Sequence, residues 1–140
     1  MFDLPIKSVM DREKFITAAP DQTVSQAACL MATQNVGAVM VVEAGHLIGI
    51  FTERDVVFRV VALGRDPQKT DLRGVMTANP KTLGPNQPYG HALVIMQENC
   101  FRHVPVVDDG KLIGIISSRN AMDPDLEEFV ADQRRREHYR

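Results

Sequence analysis

Thr52-Glu53-Arg54-Asp55 and Ser117-Ser118-Arg119-Asn120 each set a hydroxyl three residues ahead of a carboxylate or amide, with an arginine between. That spacing is the N-terminal box of a helix, in which the hydroxyl accepts from a first-turn N–H and an acid complements the dipole. A helix start also receives anions well, because unpaired N–H groups and the dipole point the same way. On these residues alone, capping and anion binding are both open, and they are compatible. Other chemistries are poorly served. Cys29 and Cys100 have neither metal-knuckle nor redox spacing and fall in apolar stretches, which reads as small buried hydrophobes. His46, His91, His103 and His138 lack an i, i+4 partner or a Cys or Asp companion at ligand spacing, so no metal site is expected. There is no Ser/His/Asp order, no P-loop and no base assigned to either hydroxyl, which disfavours an enzyme.

The elements around these boxes are written twice. Residues 17–55 laid on 82–120, an offset of 65 without a gap, give 14 identities in 39 positions. Val9-Met10 and Val75-Met76 match instead at an offset of 66, so one residue was gained or lost between. This period is too long for a solenoid, and a copy of this size is marginal as an independent core. Two copies packed face to face about a pseudo-twofold axis satisfy both facts, and clefts form where they meet. In the first copy, Val24, Ala27, Ala28 and Met31 make a helical stripe after the turn residues Pro20 to Thr23. Val39–Val42 and His46–Phe51 flank Ala44-Gly45 as a hairpin, and a helix opens at Thr52 and stops by Gly64. The second copy predicts a helix over 88–99, strands near 103–107 and 111–116, and a helix opening at Ser117. Each copy is therefore β-α-β-β-α. The boundaries follow: first repeat 1–63, linker 64–72, second repeat 73–122, helical tail 123–140.

The 140 residues carry 16 Lys+Arg against 18 Asp+Glu, without the basic excess of a nucleic-acid binder. No apolar stretch reaches the roughly 18–20 residues that cross a bilayer, and the first residues do not read as a signal peptide. A cytoplasmic protein with no nucleic-acid or membrane partner is expected.

A helix followed by a V-V-D/E-x-G-x-L-I-G-I hairpin and then T/S-x-x-D/N, present twice, resembles the cystathionine-β-synthase (CBS) domain, here as a tandem pair over roughly residues 3–122. The resemblance implies an α/β (α+β) fold and a regulatory, non-catalytic role, binding adenosine-containing ligands such as AMP, ADP, ATP, NAD(H) or S-adenosylmethionine. It needs no catalytic cofactor. In such pairs the aspartate holds the ribose and the neighbouring hydroxyl helps hold phosphate, which assigns Thr52, Arg54 and Asp55. The other copy holds the adenine, which assigns Pro80, Lys81, Phe101, Arg102, His103 and Pro105, with Thr77 placed to meet phosphate. Phe101 and Pro105 offer apolar walls; Lys81, Arg102, His103 and Arg54 supply positive charge. Arg102 and His103 also read as solvated positions at a strand start. The opposite cleft is expected at Phe15, Ile16, Val36, Gly37, Ala38, Met40, Ser117, Arg119 and Asn120. It is the weaker, because Asn120 replaces the aspartate, Gly37 and Ala38 stand for Arg102 and His103, and Asp11 stands for Thr77 and repels phosphate.

The family commonly forms homodimers, in which the helices opening at Thr52 and Ser117 face their mates and occupancy shifts how the copies sit. The regulated protein is not named by the sequence. In the tail, Asp123 and Pro124 restart a helix whose face of Leu126, Phe129 and Val130 caps the pair or docks on a partner, and Arg134 to Arg136 suit its C-terminal end. Of the ligands, a mono- or diphosphate suits the available cations. The alternative function is a ligand-independent adaptor that keeps the fold for dimerisation.

Overall fold

A computed structural model describes residues 2–13, 15–99, 101–118 and 124–138. Strand β1 (Ile16–Ala18) leads to helix α1 (Val24–Gln34). Thr23 Oγ1 accepts from Gln26 N at 3.2 Å and the Gln26 side chain accepts from Thr23 N at 2.9 Å, a reciprocal cap that fixes where the helix begins. Asn35, at φ 54°, ends it. Strands β2 (Ala38–Glu43) and β3 (His46–Thr52) pair antiparallel across Ala44 (φ 52°) and Gly45 (φ 80°), the two positive φ values that a tight type I′ hairpin needs. From Thr52 the chain enters helix α2 (Glu53–Asp55) without a loop, and this widens to a π-helix over Val56–Val61.

Beyond the linker come strand β4 (Thr77–Ala78), helix α3 (Tyr89–Asn99), and strands β5 (His103–Asp108) and β6 (Lys111–Ser117). The second hairpin repeats the first, with the same positive-φ turn at Asp109 and Gly110 and the same register shift, after Val106 where the first has it after Val41. The strand expected to open the second repeat shrinks to one bridge, Leu83 with Val106, the counterpart of Ala18 with Val41. The helix expected at Ser117 lies outside the described residues, as does Asp123. Helix α4 (Pro124–His138) forms the tail; its Phe129 is 59% exposed, so the apolar face expected to cap the pair is uncovered there.

The packing units cross the sequence repeats. Strand β4 follows the linker yet pairs with β3, giving a first sheet of order β1-β2-β3-β4. Its arm lies on the first repeat: Leu72 N and Arg73 N donate to Gln22 O at 2.9 Å and Pro20 O at 3.0 Å. The N-terminal arm does the same on the second repeat, where Ile6 N and Lys7 N each donate at 2.9 Å, to Gln87 O and Pro85 O. Asp11 bridges Ile115 just as Thr77 pairs with Ile50. Leu72 and Val75 therefore complete a core with Val24, Met31, Phe51 and Val60, while Ile6 and Met10 complete the other with Leu83, Tyr89, Met96 and Val104. A third cluster of Ala38, Met40, Ile50 and Ile115 joins the two sheets. The arms are offset by 66 and the bodies they dock on by 65, which is where the extra residue of the sequence comparison falls.

The glycines of the two L-I-G-I strands make room for the arms. A Cβ on Gly49 would meet Met76 Sδ, and one on Gly114 would lie 2.7 Å from the Asp11 carbonyl oxygen and 3.1 Å from Met10 Sδ. Met31 and Met96 are core residues as their helical spacing predicts, but Cys29 is exposed, because it falls on the outer face of α1, away from buried Val24, Ala27 and Met31. Cys100 lies outside the described residues.

Tyr89 sits where the first repeat has Val24, fully buried, and among the described residues its hydroxyl finds no partner. Burial pushes its ionisation above the ordinary tyrosine value by disfavouring the phenolate. Tyr89→Phe is expected to stabilise the protein by about 1 kcal/mol, read as a raised midpoint of thermal unfolding. In the parent, stability should fall as pH rises past the ordinary tyrosine range, because the unfolded chain ionises first; the variant should lose that dependence. A lowered midpoint for Tyr89→Phe would show that the hydroxyl has a partner after all.

Candidate functional site

The residues of the first T-x-x-D box meet in a single corner. Thr52 Oγ1 accepts from Asp55 N at 3.2 Å; in return Asp55 Oδ2 accepts from Thr52 N at 2.9 Å and from Thr52 Oγ1 at 3.1 Å. Glu53 N donates to Gly37 O at 3.0 Å, which pins the helix start to the beginning of β2, and Ser118 N donates to Arg102 O at 2.9 Å in the other repeat. The Asp55 side chain is 13% exposed and its Oδ1 lies 3.4 Å from Arg59 Nε, one helical turn on. The Arg54 guanidinium stacks 4.5 Å above the Phe58 ring. Thr52 therefore spends its one hydroxyl proton on Asp55, and Thr77 is the hydroxyl left to meet an anion.

This corner opens on a cavity of about 440 Å3 lined by Thr52, Arg54, Asp55, Thr77, Pro80, Lys81, Phe101 and His103, together with Ile50, Arg59, Asn79 and Asn99. Two residues expected here are elsewhere. Arg102 lines an adjoining cavity of about 420 Å3 with Glu53, Val57 and Phe58, which shares Thr52, Arg54, Phe101 and His103 with the first. Pro105 is buried in β5 opposite Ile115, on the same strand face as His103 but further in, toward the contact between the sheets, and does not line the cavity. Among the four residues that sequence reasoning did not place, Arg59 carried a legible signal, since an acid and an arginine four apart on a helix face one another. Asn79 shows only in its left-handed backbone (φ 50°), and Asn99 donates from Nδ2 to Ile95 O at 2.9 Å near the end of α3.

Across the pseudo-twofold axis lies a cavity of about 290 Å3 lined by Asp11, Phe15, Asn35, Val36, Gly37, Ala38, His103, Ile115 and Ser117. Ile16 is held in β1 against Val39, and Met40 is fully buried between the sheets, so neither lines it. Arg119 and Asn120 lie outside the described residues. Asp11 stands where Thr77 stands in the larger cleft, through the equivalent bridge to the opposite hairpin. The larger cleft thus gathers Arg54, Arg59 and Lys81 around one carboxylate, while Asp11 is the single acid or base besides His103 among the described residues of the smaller. Among the described residues, no three His, Cys, Asp or Glu side chains gather as a metal site. No helix is long and apolar enough to cross a membrane among them.

Two repeats, each with a helix and a hairpin and each completed by an arm from the other half, match the family model described as CBS domain at residues 6–62 and 72–124. The chain belongs to the CBS-domain family. Among relatives of this CBS pair, the CBS domain-containing protein YhcV of Bacillus subtilis is 41% identical over 101 residues, covering 72% of this chain and 71% of YhcV. The chain spans only 58% of Methanopyrus kandleri protein MK0525, at 34% identity. Among solved structures, the CBS-domain containing protein ATU1752 of Agrobacterium tumefaciens superposes with TM-score 0.75 at 33% identity, covering 84% of this chain and 95% of that one. The CBS domain pair of protein MJ0100, solved in complex with 5′-methylthioadenosine and S-adenosylmethionine, superposes with TM-score 0.76 at 27% identity, covering 84% and 92%.

Proposed function

We propose that this CBS pair is a regulatory, non-catalytic module that binds an adenosine-containing nucleotide, AMP or ADP in preference to ATP, NAD(H) or S-adenosylmethionine, and signals its occupancy to a partner protein. The observation that carries this reading is the convergence, in one cavity of about 440 Å3, of a carboxylate for a ribose diol, the hydroxyl of Thr77, the cations Arg54 and Lys81, and the apolar faces of Phe101 and Pro80. The solved relative MJ0100 holds two ligands that share the adenosine unit. Two cations suit one or two phosphates; a triphosphate needs more positive reach. Selection between AMP and ATP would make the module a sensor of cellular energy state. The smaller cleft, with Asp11 at the phosphate position, is the weaker site.

The exposed apolar side chains Val57, Phe58 and Val61 on the helix after Asp55 support a homodimer that mates these helices. That stripe alone also suits the adaptor reading, in which the fold serves dimerisation and no ligand binds. Calorimetric titration with AMP, ADP, ATP, NADH and S-adenosylmethionine separates the two. Lys81→Ala should weaken AMP by about tenfold, the equivalent of roughly 1.4 kcal/mol, while changing S-adenosylmethionine binding little. Heat from none of the five ligands would leave the adaptor as the function.

A further inference from the structure

Asp55 meets any ligand with one carboxylate oxygen, Oδ2, already fully engaged. A carboxylate offers about four acceptor positions. Two are taken by hydrogen bonds, both on Oδ2, from Thr52 N at 2.9 Å and Thr52 Oγ1 at 3.1 Å, and Oδ1 faces Arg59 Nε in an ion pair at 3.4 Å. A vicinal diol brings two donors, both positions left for them are on Oδ1, and Arg59 is the group that stands there and must give way. The Arg59 contact is the longest of the three, lies outside the helix cap, and comes from a side chain 47% exposed.

Arg59 does not end at Asp55. Its Nη1 donates to the carbonyls of Val75 at 3.2 Å and Met76 at 3.1 Å, the two residues that lead into Thr77 on the exchanged arm. Thr77 lines the same cavity as Asp55. One guanidinium fork therefore ties the carboxylate on α2 to the backbone of an arm that crosses from the other half of the chain. Position 124, at the repeat offset of 65 from Arg59, is a proline, which has no donor to offer the other arm.

We propose that Arg59 is a positioning residue that couples occupancy of the Asp55 cleft to the arm of residues 71–78. Engagement of Asp55 by a ribose diol frees Arg59 from the carboxylate, the Val75 and Met76 carbonyls lose their anchor on α2, and the arm loosens. This rests on the reading of the cleft as an adenosine site, which it extends by naming the element that moves.

Hydrogen exchange of the full chain, with and without AMP at saturation for each variant, tests it. In the wild type, AMP should speed exchange across residues 71–78 several-fold while the α1 amides stay unchanged. Without ligand, Arg59→Gln should already show the faster arm, and AMP should add nothing more. Arg59→Lys keeps a charge for Asp55 but loses the fork, so its arm should behave as in Arg59→Gln; it also serves if the glutamine variant fails to fold. A merely structural arginine would lower stability in both variants but leave the response of the arm to AMP in place, which overturns the proposal. Equal arm exchange in unliganded wild type and Arg59→Gln overturns the tie whatever binds, and wild type that binds AMP without a change in the arm overturns the coupling alone. Failure of AMP and S-adenosylmethionine to bind wild type at all overturns the adenosine reading and the coupling with it.

Discussion

Asp55→Ala should lower AMP affinity at least about a hundredfold, since hydrogen bonds to a charged group contribute roughly 1.5–3 kcal/mol each and a ribose diol makes two. The carboxylate sits at the neck of the larger cleft, 13% exposed, so water replaces those bonds poorly once a ligand fills the space. Stability should fall far less. The substitution removes the reciprocal half of the cap, in which Asp55 Oδ2 accepts from Thr52 N, a loss on the order of 1 kcal/mol. Calorimetric titration reads the first effect and thermal unfolding the second. Asp55→Asn keeps the shape and one acceptor oxygen and should fall between wild type and alanine. Undiminished AMP binding by Asp55→Ala would remove this cleft from consideration.

Gly114→Ala should destabilise the protein by about 2–3 kcal/mol, the upper part of the usual overpacking cost, because the neighbour cannot yield. The atom met at 2.7 Å is the backbone oxygen of Asp11, which is itself fixed as acceptor for Ile115 N at 3.1 Å. Relief requires the N-terminal arm to lift from β6, and Ile6 and Met10 leave the second core with it. A fall of roughly 10 °C in the unfolding midpoint follows for a chain of this size. Gly49→Ala is the internal control. The three atoms nearest the same Cβ there all belong to the side chain of Met76, which can rotate aside, so the cost should be about 1 kcal/mol. Equal losses for the two variants would show that the N-terminal arm is not held as described.

What the sequence made legible follows from how local each signal is. Hairpins and helices announce themselves through periodicity, and Ala44-Gly45 and Asp109-Gly110 mark tight turns by residue type alone. The Thr52 and Asp55 box was readable for the same reason, its partners being three residues apart. The arm exchange was not, because pairing between Thr77 and Ile50 or Asp11 and Ile115 spans long loops and leaves no periodic trace. Its single sign was the change of offset from 65 to 66, which reads as a mere deletion until the arms are seen on opposite bodies. Pro105 and Met40 were misplaced because each shares the strand face of a cleft-lining neighbour, His103 or Ala38, but lies two residues further in, where the contact between the sheets buries it. Cys29 misled in a simpler way: an apolar neighbourhood in sequence spans every face of a helix, and this cysteine is on the outer one.

The reciprocal arms also bear on heredity. A single copy of this repeat could close its core only by taking the arm of a second molecule and lending its own, so two copies are the smallest self-sufficient set. Fusing them replaces an encounter between molecules with a tethered one, in which residues 64–71 hold each arm at a high effective concentration near its acceptor. Shortening that tether below the span it must cross would send the arms outward to neighbouring chains, and the same contacts that close the monomer would then build domain-swapped assemblies.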